Sequence, residues 1–334
     1  MTERPTLEQV DSAIAALKQA DLRAMELADV KVILQPLTLQ IRMRSPLLNK
    51  GARLFRARQF ASGERPILLA DISFPPPERV RSYQRVNPPG RPVFYCSESF
   101  DVSLSEVGAA TGSVVAVSEW QVERQLHFTD VGFSENCLQT LTGRPAEMPA
   151  WATEPLPHEL PPLDKEEDAV NRRVVEFLAE QFCVQVRSGD EHLYKVSVAI
   201  SEVLGFDPAS TGRFEAVGND IGTNVGGSGF DGITYPSVSC RAPVQNVALR
   251  PHSVDSKLRF LNVGLVRVTH ADKSDMKFEE IDFANSANVA REIEWKGRAG
   301  VVRTKKPGDT FRLTQTGVDR WSITDIDGNR VDRE

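Results

Sequence analysis

The stretch Arg85–Glu106, RVNPPGRPVFYCSESFDVSLSE, decides how the rest of this chain is read. It opens on an arginine followed by a Pro88-Pro89-Gly90 turn. The apolar run after the turn predicts a short strand over Val93–Cys96. A Ser-Glu-Ser bend then leads into a helix over Asp101–Val107, its start signalled by Ser99 and Asp101. Gly112 ends that helix, and Ser113–Val122, SVVAVSEWQV, reads as the next strand. Arg85, Tyr95 and Glu106 are therefore spaced along one strand-turn-helix unit.

Upstream, Arg53–Phe60, RLFRARQF, alternates as a strand does, with Leu54 and Arg56 on one face and Phe55 on the other. An arginine inside an apolar strand is costly unless its charge meets a partner. Arg56 is thus either half of an edge-strand ion pair or an anchor for an anionic ligand. Residues 6–28 predict one helix, with a Thr6/Gln9 capping box and Val10, Ile14 and Leu17 on one face. Val30–Leu39 is apolar and interrupted by Pro36, which predicts a short strand or a packed extended arm.

Downstream, residues 143–163 hold six prolines (145, 149, 155, 157, 161, 162) and read as an extended excursion. Residues 165–183 carry the clearest helical stripe: Val170, Val174, Phe177, Leu178 and Phe182. A second helix is predicted over 191–204, ending at Gly205. Gly218–Gly232 is glycine-rich, and strands follow at 233–235, 244–249 and 258–268. Beyond 270, short strands at 277–283, 301–304, 311–314 and 321–324 suggest a β appendage. The expected division is an N-terminal helix and arm (1–45), a central domain (46–268) with a helical insert (125–215), and a β-rich extension (269–334).

Composition narrows the functional classes. The chain has 334 residues, 40% hydrophobic and 26% charged, ordinary for a soluble globular protein. Its net charge of −6 disfavours direct nucleic-acid binding, although ten arginines gather between Arg42 and Arg91 with a single lysine, Lys50. The N-terminus lacks an apolar secretory core, and no run is long enough to span a membrane. A cytoplasmic location is the expectation. The four cysteines (96, 137, 183, 240) have no CxxC spacing and read as reduced, partly buried small hydrophobes. With no HxH or HExxH, no metal site is expected. Gly227–Gly232 matches G-x-G-x-x-G literally, but a strand rather than a helix follows it, so it does not read as a dinucleotide fingerprint. There is no GK[ST] and no G-x-S-x-G.

Singly, Glu106 reads as an exposed helix carboxylate, Tyr95 as a core residue with a satisfied hydroxyl, and Ser237 as a turn serine. Together they have an order that resembles a known family. LFRAR (54–58), RVNPPGRPVFY (85–95), SLSEV (103–107), DGITYPS (231–237) and NVALRP (246–251) resemble the RES domain, named for an arginine, a glutamate and a serine in that chain order. The resemblance spans 53–260 and maps those three onto Arg56, Glu106 and Ser237, with Arg85 and Tyr95 matching the middle motif. It departs in lacking a double glycine before Arg85, where Tyr83-Gln84 stand, and in carrying Val86 where an aromatic is common.

The resemblance implies an α+β fold similar to ADP-ribosyltransferase toxins, with mixed sheets around an NAD cleft. It implies NAD as substrate, no prosthetic cofactor, and a toxin that degrades NAD by hydrolysis or phosphorolysis. Transfer of ADP-ribose to a protein, or a non-catalytic module on the same fold, are the alternatives. A protein antitoxin is the implied partner. Arg56, Arg85, Tyr95 and Ser237 would contact NAD, and Arg56, Glu106 and Ser237 would carry the chemistry.

Overall fold

The computed structural model describes the chain apart from residues 1–3, 39–40, 62, 144–162, 207–229, 241–243, 272–275, 298–301, 306–310, 318–319 and 326–334. In chain order its elements are helices α1 (Leu7–Gln19) and α2 (Leu27–Leu34), strands β1 (Leu47–Leu48) and β2 (Arg53–Phe60), helix α3 (Leu69–Ile72), strand β3 (Phe94–Ser97) and helix α4 (Phe100–Glu106). Strands β4 (Val114–Val122) and β5 (Leu126–Asp130) follow, then helices α5 (Glu135–Thr142), α6 (Lys165–Cys183) and α7 (Lys195–Val203), and strands β6 (Gly232–Pro236) and β7 (Gln245–Leu249). Helix α8 (Pro251–Lys257) leads into strands β8 (Leu258–Ala271), β9 (Met276–Ala284), β10 (Val302–Lys305), β11 (Phe311–Gly317) and β12 (Arg320–Asp325). The fold is α+β, as expected.

The chain forms two compact units. The first combines residues 1–51, 74–95 and 122–258; the second combines 52–73, 96–121 and 259–334. The N-terminal helices thus fold into the first unit, and the β-rich tail belongs to the second.

In the first unit β1 pairs antiparallel with β5, β5 parallel with β6, and β6 antiparallel with β7. Helices α1, α2, α6 and α7 contribute the apolar stripes that pack with Ile233, Tyr235 and Ala248 of this sheet. Every residue of the α6 stripe is buried. Each such side chain is worth about 1.5–3 kcal/mol on burial, enough to order this helical layer despite its entropy cost. Both capping boxes are formed, by Thr6 with Gln9 on α1 and by Asp164 with Glu167 on α6.

Two predictions near the N-terminus are corrected. The helix predicted over 6–28 ends at Gln19, because the Asp21 carboxylate accepts the backbone N–H groups of Arg23 and Ala24 and turns the chain. The strand or arm predicted at 30–39 is instead α2 and a 3-10 turn over Gln35–Thr38. Val30, Leu34 and Leu37 are buried, a helical spacing that outweighs β-branched propensity. The stretches 144–162 and 218–229, including the first half of the literal G-x-G-x-x-G (227–229), lie outside the described residues.

In the second unit the strands run β3-β2-β4-β8-β9-β10, and β11 pairs with β12 as a separate hairpin. Alternation along β2 sends Phe55 and Ala57 to the face covered by α4 and sends Leu54, Arg56 and Arg58 to the other. On the first face Phe55 meets Phe100 edge-on at 6.3 Å, and Ala57 packs with Leu104, Val115 and Val117.

Candidate functional site

The second unit holds Arg56 and Glu106. The Arg56 guanidinium donates through Nε to the carbonyl of Ser73 at 3.1 Å, just beyond α3. Its neighbour Arg58 donates to the carbonyl of Asp71 at 2.7 Å. Facing Arg56 on β4, the Ser118 hydroxyl donates to the Arg56 carbonyl at 3.2 Å. Glu106 is the exposed last residue of α4, the helix on the opposite face of β2. The alternation of β2 therefore does not turn the Arg56 side chain toward α4.

Cys96 at the end of β3 is buried, and that burial pushes its thiol well above the ordinary range, opposed by the Arg56 guanidinium. Glu98, in the bend that starts α4, has its carboxyl pushed up by partial burial. Ser97 locks that bend: its hydroxyl accepts the Ser99 N–H at 2.9 Å and donates to the Ser99 carbonyl at 3.0 Å.

The first unit holds Arg85, Tyr95 and Ser237. Arg85 is engaged on several sides. Its Nη1 donates to the Phe182 carbonyl at 2.6 Å and the Val184 carbonyl at 3.2 Å, and Nη2 also reaches Val184 at 3.1 Å. These are carbonyls at the C-terminus of α6, which need donors, and where the helix dipole favours a cation. The same guanidinium lies over the rings of Tyr194, at 5.2 Å, and Tyr235, at 5.7 Å.

The Tyr95 hydroxyl accepts from the Val86 N–H at 3.1 Å and donates to Asn87 Oδ1 at 2.5 Å. It thereby braces the turn that follows Arg85. Ser237 is fully buried just past β6. Its hydroxyl accepts the Cys240 N–H at 3.1 Å, and its own N–H donates to the Val244 carbonyl at 2.8 Å. The structure thus gathers Arg85, Tyr95 and the strand leading to Ser237 in one unit, and holds Arg56 and Glu106 in the other.

Two acidic positions that were not singled out stand out in the first unit. Asp130 ends β5 opposite Thr234, whose hydroxyl donates to it at 2.7 Å. Burial raises its carboxyl to about 7, opposed by the Thr234 hydrogen bond and the charge of Arg44. Asp231 accepts from the His127 N–H (2.9 Å), the Ser253 hydroxyl (2.7 Å) and Lys257 Nζ (2.6 Å), tying β5, β6 and α8 together. The His127 imidazole is held below its usual range by burial, opposed by Asp231. The sequence signal for both acids was an aspartate at a strand end beside apolar residues, where only a buried or paired carboxylate fits.

Cys137 and Cys183 correct the cysteine reading: they form a disulfide, with Cα atoms 6.3 Å apart. Their separation of 46 residues gave no spacing signal. Among the described residues no group of three His, Cys, Asp or Glu side chains converges as a metal site, and no helix is long and apolar enough to cross a membrane.

The chain is therefore an α+β protein with an arginine in strand β2, a glutamate ending helix α4 and a buried serine just past strand β6. The family model described as RES domain matches residues 53–163, a span that includes Arg56, Arg85, Tyr95 and Glu106. Ser237 lies beyond the matched span. Neither a curated protein nor a solved structure matches the chain.

Proposed function

We propose that this protein cleaves the nicotinamide–ribose bond of NAD, by hydrolysis or phosphorolysis, as a toxin restrained by a protein antitoxin. The RES match over 53–163, which holds Arg56 and Glu106 in the family's order, carries this reading. The bond breaks through an oxocarbenium-like species. A fixed carboxylate, Glu106, stabilises the growing positive charge and holds a ribose hydroxyl. The NAD diphosphate suits the bidentate fork of Arg56. The resemblance also gives roles to Tyr95 and Ser237, which the first unit holds by its own hydrogen bonds. Arg85 acts mainly by shaping the first unit, because its fork is committed to the α6 carbonyls.

A second reading, transfer of ADP-ribose to a protein, is favoured by the exposure of Glu106, which leaves room for a large acceptor. Labelled NAD incubated with the purified chain and a cell lysate separates the two. Free ADP-ribose or its phosphate supports degradation, and label on a protein band supports transfer. Unchanged NAD under all conditions overturns both.

A further inference from the structure

The end of helix α6 joins two candidate residues to one covalent bond. Cys183, its last residue, is linked to the buried Cys137 of α5. Cys137, Leu141 and Ala179 form an apolar cluster against which Cys183 and Val238 pack. Val238 directly follows Ser237, so the serine bend rests beside the cross-link. The residues before Ser237 meet the same helix end. The Tyr235 ring lies 5.9 Å from that of Phe182. Pro236 crowds Gly132, where an added Cβ would come within 2.6 Å of Pro236 Cδ and 3.2 Å of Phe182 Cβ. Cys183 Sγ lies 3.7 Å from the Gly132 carbonyl oxygen. Arg85 grips Phe182 and Val184, the residues on either side of Cys183. The positions of Arg85 and Ser237 are thus both referenced to Cys183.

We propose that the Cys137–Cys183 disulfide is a redox clamp: closed, it holds Ser237 and Arg85 in their working positions, and opened by a dithiol reductant, it frees the α6 terminus and lowers activity. The effect on activity rests on the NAD-cleaving reading above; the clamp itself does not. Cys183 is half-buried and Cys137 is buried. A reductant thiolate attacks Cys183 Sγ, the S–S bond breaks, and the electron pair leaves on Cys137 Sγ, which takes a proton. The second thiolate of the reductant then attacks the mixed disulfide, releasing Cys183 as a thiol and closing the reductant's own disulfide. Two electrons pass from the dithiol, and an oxidised dithiol reverses the exchange. The other two cysteines are free thiols, Cys96 buried and Cys240 partly exposed.

The test compares full-length protein before and after dithiothreitol. Thiol labelling in denaturant is expected to find two thiols before and four after; four in both overturns the clamp. Amide hydrogen exchange at residues 84–87 and 234–240 is expected to quicken about tenfold on reduction, as local opening becomes easier; equal exchange in both states overturns it. Cys137→Ser is expected to exchange like the reduced wild type with or without dithiothreitol, whereas Cys240→Ser still responds. NAD cleavage is expected to fall about tenfold on reduction of the wild type, in parallel with the loosened segments. No cleavage in either state overturns the NAD reading while the exchange data still support the clamp. Equal cleavage in both states overturns the regulation and leaves the NAD reading standing.

Discussion

Arg85 and Arg56 come from the same arginine-rich stretch and are held in different ways. Around Arg85 the protein closes in: two carbonyls of a helix end and two tyrosine rings take up the guanidinium. Around Arg56 the hold is a strand face, with Nε on the carbonyl of Ser73. The contrast teaches that a motif arginine can be spent on building the fold. Arg85 is tied to the first unit by these contacts, and Arg56 is tied to the loop after α3 in the second.

The largest expected effect tests the chemistry on the Arg56 side. Glu106→Gln is expected to lower NAD turnover by about 100-fold or more, the scale of losing one electrostatic stabiliser. Its unfolding midpoint should not move, because Glu106 is exposed at a helix end. Near-native turnover in the folded variant would remove Glu106 from the mechanism. Next, Arg85→Ala is expected to cost about 2 kcal/mol in denaturant unfolding, from lost charged hydrogen bonds and ring contacts. A variant of wild-type stability that no longer binds NAD would move Arg85 to the ligand side of the comparison.

Arg56→Ala should do the opposite, raising KM for NAD about tenfold with little change in stability. Unchanged NAD affinity by calorimetry would make Arg56 structural as well. The smallest effect is a slope. The Asp130 carboxyl is raised to about 7 in the folded chain, while its unfolded value lies near 3.9. The folded state therefore holds the proton more tightly. Stability from this group is full below about pH 4 and declines as pH rises toward 7, by at most about 1.4 kcal/mol per pH unit. Asp130→Asn should flatten that decline in urea titrations at pH 5, 6 and 7; an unchanged slope would refute the shift.

Much of the local structure was legible because it is periodic. The α6 stripe, the alternation of β2 and the Thr6/Gln9 capping box each fix an element without tertiary context. Helix α2 was misread because Val30, Val32 and Ile33 favour strands and Pro36 suggested a break, whereas packing of Val30 and Leu34 on the core decided for a helix. Strand β5 and helix α5 went unpredicted, since HFTDV and the short ENCLQTLT run carry weak patterns beside the prolines that follow. The five candidate residues were chosen by motif order, which carries no information about their surroundings. No periodicity shows that the Arg85 fork would be taken by carbonyls 97 and 99 positions away, or that the Tyr95 hydroxyl would brace its own turn. The division into two units was hidden for a related reason, because the chain passes between them repeatedly.

The bond between Cys137 and Cys183 has a further consequence for how the chain comes apart. Residues 144–162 lie between its two ends. A protease that cuts the backbone anywhere in that interval makes two peptides that remain one covalent molecule. The cut would be silent on a non-reducing gel and appear as two bands once the sample is reduced. A break in that interval therefore leaves one covalent molecule for as long as the disulfide is closed.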